Sequence, residues 1–341
     1  MVDEDIPFIK GLFEPYAQVQ YLRGKDFTPE LAREASALVV RTRTKCGPDL
    51  LEGSKVKFIA TATIGTDHID LPYCAERGIE VRNAPGSNAG GVMNYVFSAL
   101  YGVASRKAIR LRGEKLGIVG VGNTGGRVDR VAGYLGFKVL KNDPPRMRLE
   151  GMDGFCHLPY LLANSQIVTL HVPLDESTKG LAGEEFFEAM QPGAIFINAS
   201  RGEVVDEAAL KRAIPKLGAV ILDTWNNEPD IDRELLEMVD IATPHIAGYS
   251  YQGKQNGTSA VVRAVARFFG MQPLYEFFPK AEVEDLQSIS LDLKGKEQGE
   301  ITSVLQYNYP VFTDDFMLRM APENFEKLRS SYKYRREFFI V

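Results

Sequence analysis

Apolar residues along this chain come in two textures. Short unbroken apolar runs read as strands buried on both faces, and the stretches between them carry apolar residues at helical spacing. Near the start, Leu38–Val40 and Val56–Ala60 predict strands, and Thr28–Ala37 predicts a capped helix. Only Met1-Val2 precede the acidic Asp3-Glu4-Asp5, so the first strand is expected to be very short or to have lost residues. Asn83–Ser87 reads as a turn with Ser87 as N-cap. A long helix then runs to about Arg106, with Val92, Tyr95, Val96, Ala99 and Leu100 on its apolar face. Further strands are expected at Ile167–Leu170, Ala194–Asn198, Ala219–Asp223 and Ile241–Thr243. A helix over 252–270 should return the chain to its first domain. Strands alternating with helices imply a doubly wound parallel sheet. From about 274 the texture turns polar and aromatic, with strand-like pieces and a final helix expected at Pro322–Arg336. Those last residues are few for a core of their own, so they read as an appended module that needs another surface, a second subunit.

The chain is organised around Lys115–Asp143. The apolar run Leu116–Val119 leads into Gly120-x-Gly122-x-x-Gly125, then a helix with Val128, Val131, Ala132 and Leu135 at helical spacing, closed by Gly136. A second run, Phe137–Leu140, leads to Asp143, 18 residues beyond Gly125. Each part of this dinucleotide fingerprint has a mechanical reason. Gly120 permits the tight turn, Gly122 lets backbone approach a pyrophosphate, and Gly125 lets helix and strand pack closely. Amides at the helix start hold phosphates. Asp143 would accept hydrogen bonds from a ribose diol and repel a 2′-phosphate, which selects NAD over NADP, although Arg146 nearby could serve such a phosphate.

Length and composition narrow the picture little further. At 341 residues, 45% apolar and 25% charged, the chain has the make-up of a soluble protein of two or three domains. A net charge of −5 argues against nucleic acid as a partner. Cys46, Cys74 and Cys156 are scattered without metal-ligand or disulfide spacing and read as small buried hydrophobes, so no metal site is expected. No signal peptide and no apolar run near membrane-spanning length is apparent, so no membrane partner and a cytoplasmic location are expected.

Candidate chemistry gathers after strand ends. Arg201, Glu228 and His245 each follow a predicted strand, which places them on one rim of the sheet. Histidine can take a hydroxyl proton near neutrality, a carboxylate beside it favours imidazolium and fixes the ring, and arginine's fork can hold a substrate carboxylate. In the first domain, Arg41, Arg43 and Lys45 put three cations within five residues, suited to an anionic substrate, with a solvated loop as the alternative. The Thr61–His68 segment is a second candidate to face substrate. His68, His157 and His171 read as structural, His171 packing in a turn before Pro173.

NASRG around Arg201, LDTWNNEP around Glu228, TPHIAG around His245 and GVGNTG in the glycine turn resemble the D-2-hydroxyacid dehydrogenase superfamily. Within it the chain most resembles the erythronate-4-phosphate dehydrogenase family, through VRTRTK, TATIGTDHID, NAPGSNAGGVMNYVFSAL, NDPPR, HIAGYSYQGKQNGT and FEKLRSSYKYRREF. The sequence departs from the family in its nearly missing first strand, in Thr42 where serine is common, and in stopping at Val341. The resemblance implies an α/β architecture with three parts. These are a Rossmann-type NAD-binding domain over 87–251, a discontinuous flavodoxin-like substrate domain over 1–86 and 252–273, and a small α+β dimerisation module over 274–341. It implies Arg201 as substrate anchor, Glu228 as partner of the histidine and His245 as acid/base. Gly120, Gly122, Asn123, Thr124 and Gly125 would serve the pyrophosphate, Asp143 the adenosine ribose, and Ala199, Asp223 and Gly248 the nicotinamide side of NAD. Thr42, Thr63 and Tyr249 match substrate contacts, and Arg41, Arg43 or Lys45 are inferred to hold the substrate phosphate, with Arg335 or Arg336 supplied by a second subunit. The expected reaction oxidises 4-phospho-D-erythronate, a phosphorylated 2-hydroxy acid, for pyridoxal phosphate synthesis in a homodimer. Oxidation of 3-phosphoglycerate, glycerate or lactate, and a non-catalytic NAD sensor, are the rival expectations.

Overall fold

The computed structural model describes residues 1–280 and 287–341. The chain divides into two compact units, one of residues 1–88 and 250–287, the other of residues 89–249 and 288–341. The part of the expected C-terminal module that falls on 281–286 lies outside the described residues.

The first unit is built on five parallel strands, β1 (Val2–Asp3), β2 (Tyr21–Leu22), β3 (Ala37–Val40), β4 (Phe58–Thr61) and β5 (Glu80–Arg82). Their order, β2-β1-β3-β4-β5, is the flavodoxin-like one. The two-residue β1 is central despite its length, because Met1 O accepts from Val39 N and the Met1 amino group donates to Ala37 O. The helix expected over 28–37 is only Pro29–Ala32, capped by Thr28, since β3 already begins at Ala37. One face of the sheet is covered by the helix Tyr251–Phe269, whose Val261, Val262, Val265 and Ala266 share a core with Val39, Phe58 and Ala60. Gly257 interrupts good helix formers for a reason. A Cβ there would lie 3.2 Å from Ala62 O, so glycine lets the helix close onto the loop after β4.

The second unit holds six parallel strands, β6 (Lys115–Val119), β7 (Lys138–Asn142), β8 (Ile167–Leu170), β9 (Ile195–Asn198), β10 (Ala219–Leu222) and β11 (Ile241–Ala242). They lie in the order β11-β10-β9-β8-β6-β7. The order reverses at β6, and ligands of open α/β sheets bind outside the carboxyl ends at that switch. The Rossmann order often has one more strand beyond β7. Here Cys156 N donates to Lys141 O at that edge, at 2.8 Å.

Residues 288–341 belong to the second compact unit, where this chain itself supplies a surface for them. The helix Ala89–Arg106 is buried from Ala89 to Ala104, which a single sheet face cannot achieve. Its other side is covered by Ile301, Leu305, Tyr309, Val311 and Phe338, which join its core. Besides strand pieces, the chain forms here the helices Gln298–Asn308, opened by a Glu297–Glu300 capping box, and Val311–Met320. The final helix is Phe325–Ser330 rather than Pro322–Arg336. Ser330 and Ser331 both donate to Lys327 O, at 3.3 and 2.6 Å, and such side-chain bonds compete with helix continuation. Beyond them β13 (Phe338–Ile340) pairs in parallel with β12 (Ile289–Leu291).

Candidate active site

The glycine turn has the geometry its spacing requires. Gly120 sits at φ +85°, and a Cβ there would lie 2.7 Å from His171 O. At Gly125 a Cβ would come 2.0 Å from Gly120 O, so glycine alone lets the helix Asn123–Tyr134 start against β6. A Cβ at Gly122 would meet no protein atom within 4 Å, and no side chain caps the helix it precedes. Packing explains the outer glycines. The middle one and the uncapped first turn at Asn123 and Thr124 fit a pyrophosphate approaching the backbone.

Asp143 follows β7 and caps the helix Pro144–Glu150, its Oδ1 accepting from Arg146 N at 3.1 Å. Its Oδ2 accepts from Val121 N at 2.8 Å, which ties the acid to the glycine turn. Arg146 is committed elsewhere. It grips Glu150 through Nε and Nη2, both at 2.6 Å, and donates Nη1 to Val121 O at 2.9 Å. Arg146 is thus engaged within its own helix and with the glycine turn.

Arg201, Glu228 and His245 follow β9, β10 and β11 on the carboxyl rim of the second sheet. His245 Nδ1 lies 2.8 Å from Glu228 Oε2, while Glu228 Oε1 accepts from Trp225 N at 3.0 Å. Burial alone would raise the Glu228 carboxyl. The charge and hydrogen bond of His245, the Arg329 guanidinium and the Trp225 amide outweigh it and hold the group below the usual carboxylate range. His245 and Asn227 take φ of +56° and +58°, conformations that side chains rarely adopt without a surrounding structure to impose them. For His245 that structure includes Asp223, whose Oδ1 accepts from Ile246 N at 2.8 Å and whose Oδ2 accepts from Ala247 N at 2.9 Å. Asp223 O also accepts from His245 N at 2.8 Å. Burial pushes the Asp223 carboxyl up, opposed by the nearby His245 and by these bonds.

Several residues that build this rim were not singled out in the sequence. Asn198 donates to Arg201 O at 2.8 Å and accepts from Ser200 N and Oγ, so the Asn-Ala-Ser-Arg run is a brace for Arg201. A Cβ on Gly202 would lie 2.0 Å from the Trp225 carbonyl, so the loops after β9 and β10 lie against each other. Trp225, the single tryptophan, is buried and donates Nε1 to Thr243 O at 3.0 Å. Ala199 packs on the unit's core directly after β9, and Gly248 sits in the loop that carries His245.

The tail reaches the same loop from this chain rather than from another. Arg335 is partly buried beneath it and donates to the carbonyls of Ile246, Ala247, Tyr249 and Gly91. Its guanidinium lies 3.9 Å from the centre of the Tyr309 ring. Arg335 therefore holds backbone, which corrects the expectation that it reaches a substrate in a second subunit. Arg336 lies 3.4 Å from Asn308 Oδ1 of its own chain. Tyr249 meets Tyr332 and Tyr334 edge-on, at 6.2 and 6.4 Å. Arg329 lies 3.7 Å from Glu228 Oε2.

In the first unit the remaining candidates follow adjacent strand ends. Thr42, Arg43 and Lys45 are exposed after β3, and Arg41 donates to Asp5 O at 3.2 Å. Thr63, after β4, lies 2.7 Å from Thr61 Oγ1 and donates to Gly65 O at 3.0 Å. His68 Nε2 lies 3.1 Å from Thr61 Oγ1. His171 is pushed down to about 3 by burial, with Nε2 at 3.0 Å from Thr169 Oγ1. Burial likewise raises the Cys46 thiol to about 12.

Residues 100–247 match the model of the D-isomer specific 2-hydroxyacid dehydrogenase NAD binding domain. An erythronate-4-phosphate dehydrogenase of Bacteroides fragilis is 44% identical over 344 aligned residues, spanning 99% of this chain and 96% of that protein. The chain belongs to the erythronate-4-phosphate dehydrogenase family. A member from Porphyromonas gingivalis is 38% identical, over 99% of this chain and 93% of its own. Among solved structures, a D-lactate dehydrogenase from Aquifex aeolicus complexed with NAD and lactic acid superposes with a TM-score of 0.69. It is 27% identical and covers 82% of this chain and 97% of that one. A NAD-bound 3-phosphoglycerate dehydrogenase of Entamoeba histolytica gives 0.68 at 26% identity, with 82% and 97% covered. As an erythronate-4-phosphate dehydrogenase family member, the chain is an oxidoreductase of the 2-hydroxyacid class whose cofactor is NAD. No helix among the described residues is long and apolar enough to cross a membrane.

Proposed function

We propose that the protein oxidises C2 of 4-phospho-D-erythronate to 2-oxo-3-hydroxy-4-phosphobutanoate, a step of pyridoxal 5′-phosphate synthesis, in the cytoplasm. The observation that carries this reading is the 2.8 Å contact between His245 Nδ1 and Glu228 Oε2 on the carboxyl rim of an NAD-binding sheet. NAD bound at the glycine turn supplies the hydride acceptor. Gly120, Gly122, Asn123, Thr124 and Gly125 are assigned to its pyrophosphate, Asp143 to the adenosine ribose, and Ala199, Asp223 and Gly248 to the nicotinamide side.

His245 accepts the C2 hydroxyl proton at Nε2, because Nδ1 is turned to Glu228 and must carry the ring's own proton there. Glu228 keeps that tautomer and stabilises the imidazolium that forms. Arg201 holds the substrate carboxylate and polarises C2, its backbone pinned by Asn198. Thr42, Thr63 and Tyr249 are assigned to substrate hydroxyls, and Arg41, Arg43 and Lys45 to the phosphate. A homodimer through residues 288–341 completes the proposal. Tyr307, Phe316, Met317 and Met320 of that segment are exposed at 85, 58, 48 and 66%, an apolar surface on otherwise well-packed helices.

His245→Gln and Arg201→Lys separate the roles. The first should abolish turnover while NADH titration by fluorescence stays normal. The second should raise KM for phosphoerythronate with NADH binding unchanged. Retained turnover in His245→Gln would remove His245 as the base.

A further inference from the structure

We propose that Arg329 is a positioning residue for the acid/base pair, sharing Glu228 Oε2 with His245 so that the imidazole stays able to accept a proton. The inference rests on the reading of His245 as the base. Two nitrogen-bearing side chains face one carboxylate oxygen, His245 Nδ1 at 2.8 Å and Arg329 Nη1 at 3.7 Å. The other oxygen is taken by the Trp225 amide. All three side chains are sheltered, with exposures of 25, 17 and 20% for His245, Glu228 and Arg329, so solvent screens their interaction only in part.

Arg329 is not there by chance of a flexible tail. It rides on the helix Phe325–Ser330, and Phe325 is buried in the same cluster as Trp225, Leu318 and Leu235. Its Nε is buried without a hydrogen-bond partner among the described residues, a cost that a freely placed arginine would avoid by turning to water.

The electrostatic consequence follows from the sharing. A sheltered carboxylate alone would favour imidazolium, and a histidine already charged cannot serve as a base in alcohol oxidation. A permanent guanidinium on the same oxygen keeps Glu228 ionised and disfavours a second positive charge at His245. The groups around the pair are few. Glu228 faces His245, Arg329 and the Trp225 N–H; His245 also faces Asp223; Arg329 also faces Tyr249 and Glu326. Among these groups Arg329 opposes protonation of His245 with a fixed charge.

The test is a histidine titration followed by NMR on the full chain labelled at Cε1, with His245 assigned among the four histidines by loss of its signal in His245→Asn. Arg329→Met should raise the His245 titration midpoint above that of the parent protein. Arg329→Lys, which keeps the charge, should stay near the parent value. Arg329→Gln repeats the neutral substitution should the methionine variant not fold. An unmoved midpoint in the neutral variants, or an equal shift in Arg329→Lys, would overturn the proposal. The titration needs no substrate, so failure of the parent protein to oxidise phosphoerythronate would sink the functional reading without deciding this one.

Discussion

Replacing Glu228 by glutamine changes no volume and one charge, and the structure says what the amide must then do. Its oxygen is claimed by the Trp225 N–H at 3.0 Å, which turns the NH2 group toward His245 Nδ1, 2.8 Å from the present Oε2. Nδ1 must then accept, the ring proton moves to Nε2, and the atom assigned to the substrate proton is no longer a base. The flipped amide restores the tautomer only by setting NH2 against the Trp225 N–H, a buried mismatch of about 1–3 kcal/mol. Arg329 at 3.7 Å adds a second donor against the amide in its first orientation. Wrong-tautomer substitutions of this kind in a histidine–carboxylate pair cost up to about 10⁴ in kcat. Allowing for a minor flipped population, we expect a kcat loss of roughly two to four orders of magnitude. With the carboxylate gone, the acidic limb of kcat/KM should also move to lower pH, opposite to its movement in Arg329→Met. The assay is initial-rate NADH formation at saturating NAD from pH 5 to 9, with circular dichroism as the check on folding. A kcat within tenfold of the parent, or an acidic limb that does not move, would refute the tautomer argument.

Three further outcomes follow from the same coordinates. Gly122→Ala should fold with unchanged thermal midpoint but bind NADH at least tenfold more weakly, whereas Gly125→Ala, whose Cβ would sit 2.0 Å from Gly120 O, should also melt earlier. His171 has a folded value near 3 against an ordinary 6.5, so the unfolded chain binds its proton first and stability falls as pH drops from 6.5 toward 3. Unfolding free energies from urea melts at pH 6.5 and 5 should differ by up to about 2 kcal/mol from this group, and His171→Gln should flatten that difference. Arg335→Met removes the guanidinium that donates to the carbonyls of Gly91, Ile246, Ala247 and Tyr249, although Ile246 O keeps the Tyr249 N–H, and should lower the unfolding free energy by about 3 kcal/mol, read by denaturant melts, with kcat falling alongside.

How legible all this was depended on the range over which each feature is determined. The turn from β6 to the helix Asn123–Tyr134 is local, every glycine requirement being met within a few residues or by the adjacent β8 end, so spacing alone gave it away. The placement of Arg201, Glu228 and His245 on one rim follows from strand alternation, and the positive φ at His245 had no sequence signal. The tail was misread because its helices are only weakly amphipathic by pattern, with Tyr307, Phe316 and Met320 exposed among buried Ile301, Leu305 and Leu318. Its burial comes from the distant helix Ala89–Arg106, whose apolar residues on nearly every side hinted that two surfaces cover it. Arg329 acts on Glu228, 101 residues earlier, and Arg335 on the loop carrying Ile246 to Tyr249, 86 to 89 residues earlier, pairings that periodicity cannot show.

The central claim is met most directly by an initial-rate comparison of 4-phosphoerythronate, 3-phosphoglycerate and D-lactate with NAD, following NADH absorbance with and without an added 2-oxo acid to reoxidise cofactor that stays bound. The account predicts turnover with phosphoerythronate, at a kcat/KM well above that of the other two acids. Preference for either of the others would contradict the substrate assignment, and no turnover with any of them despite tight NADH binding would contradict the catalytic reading itself.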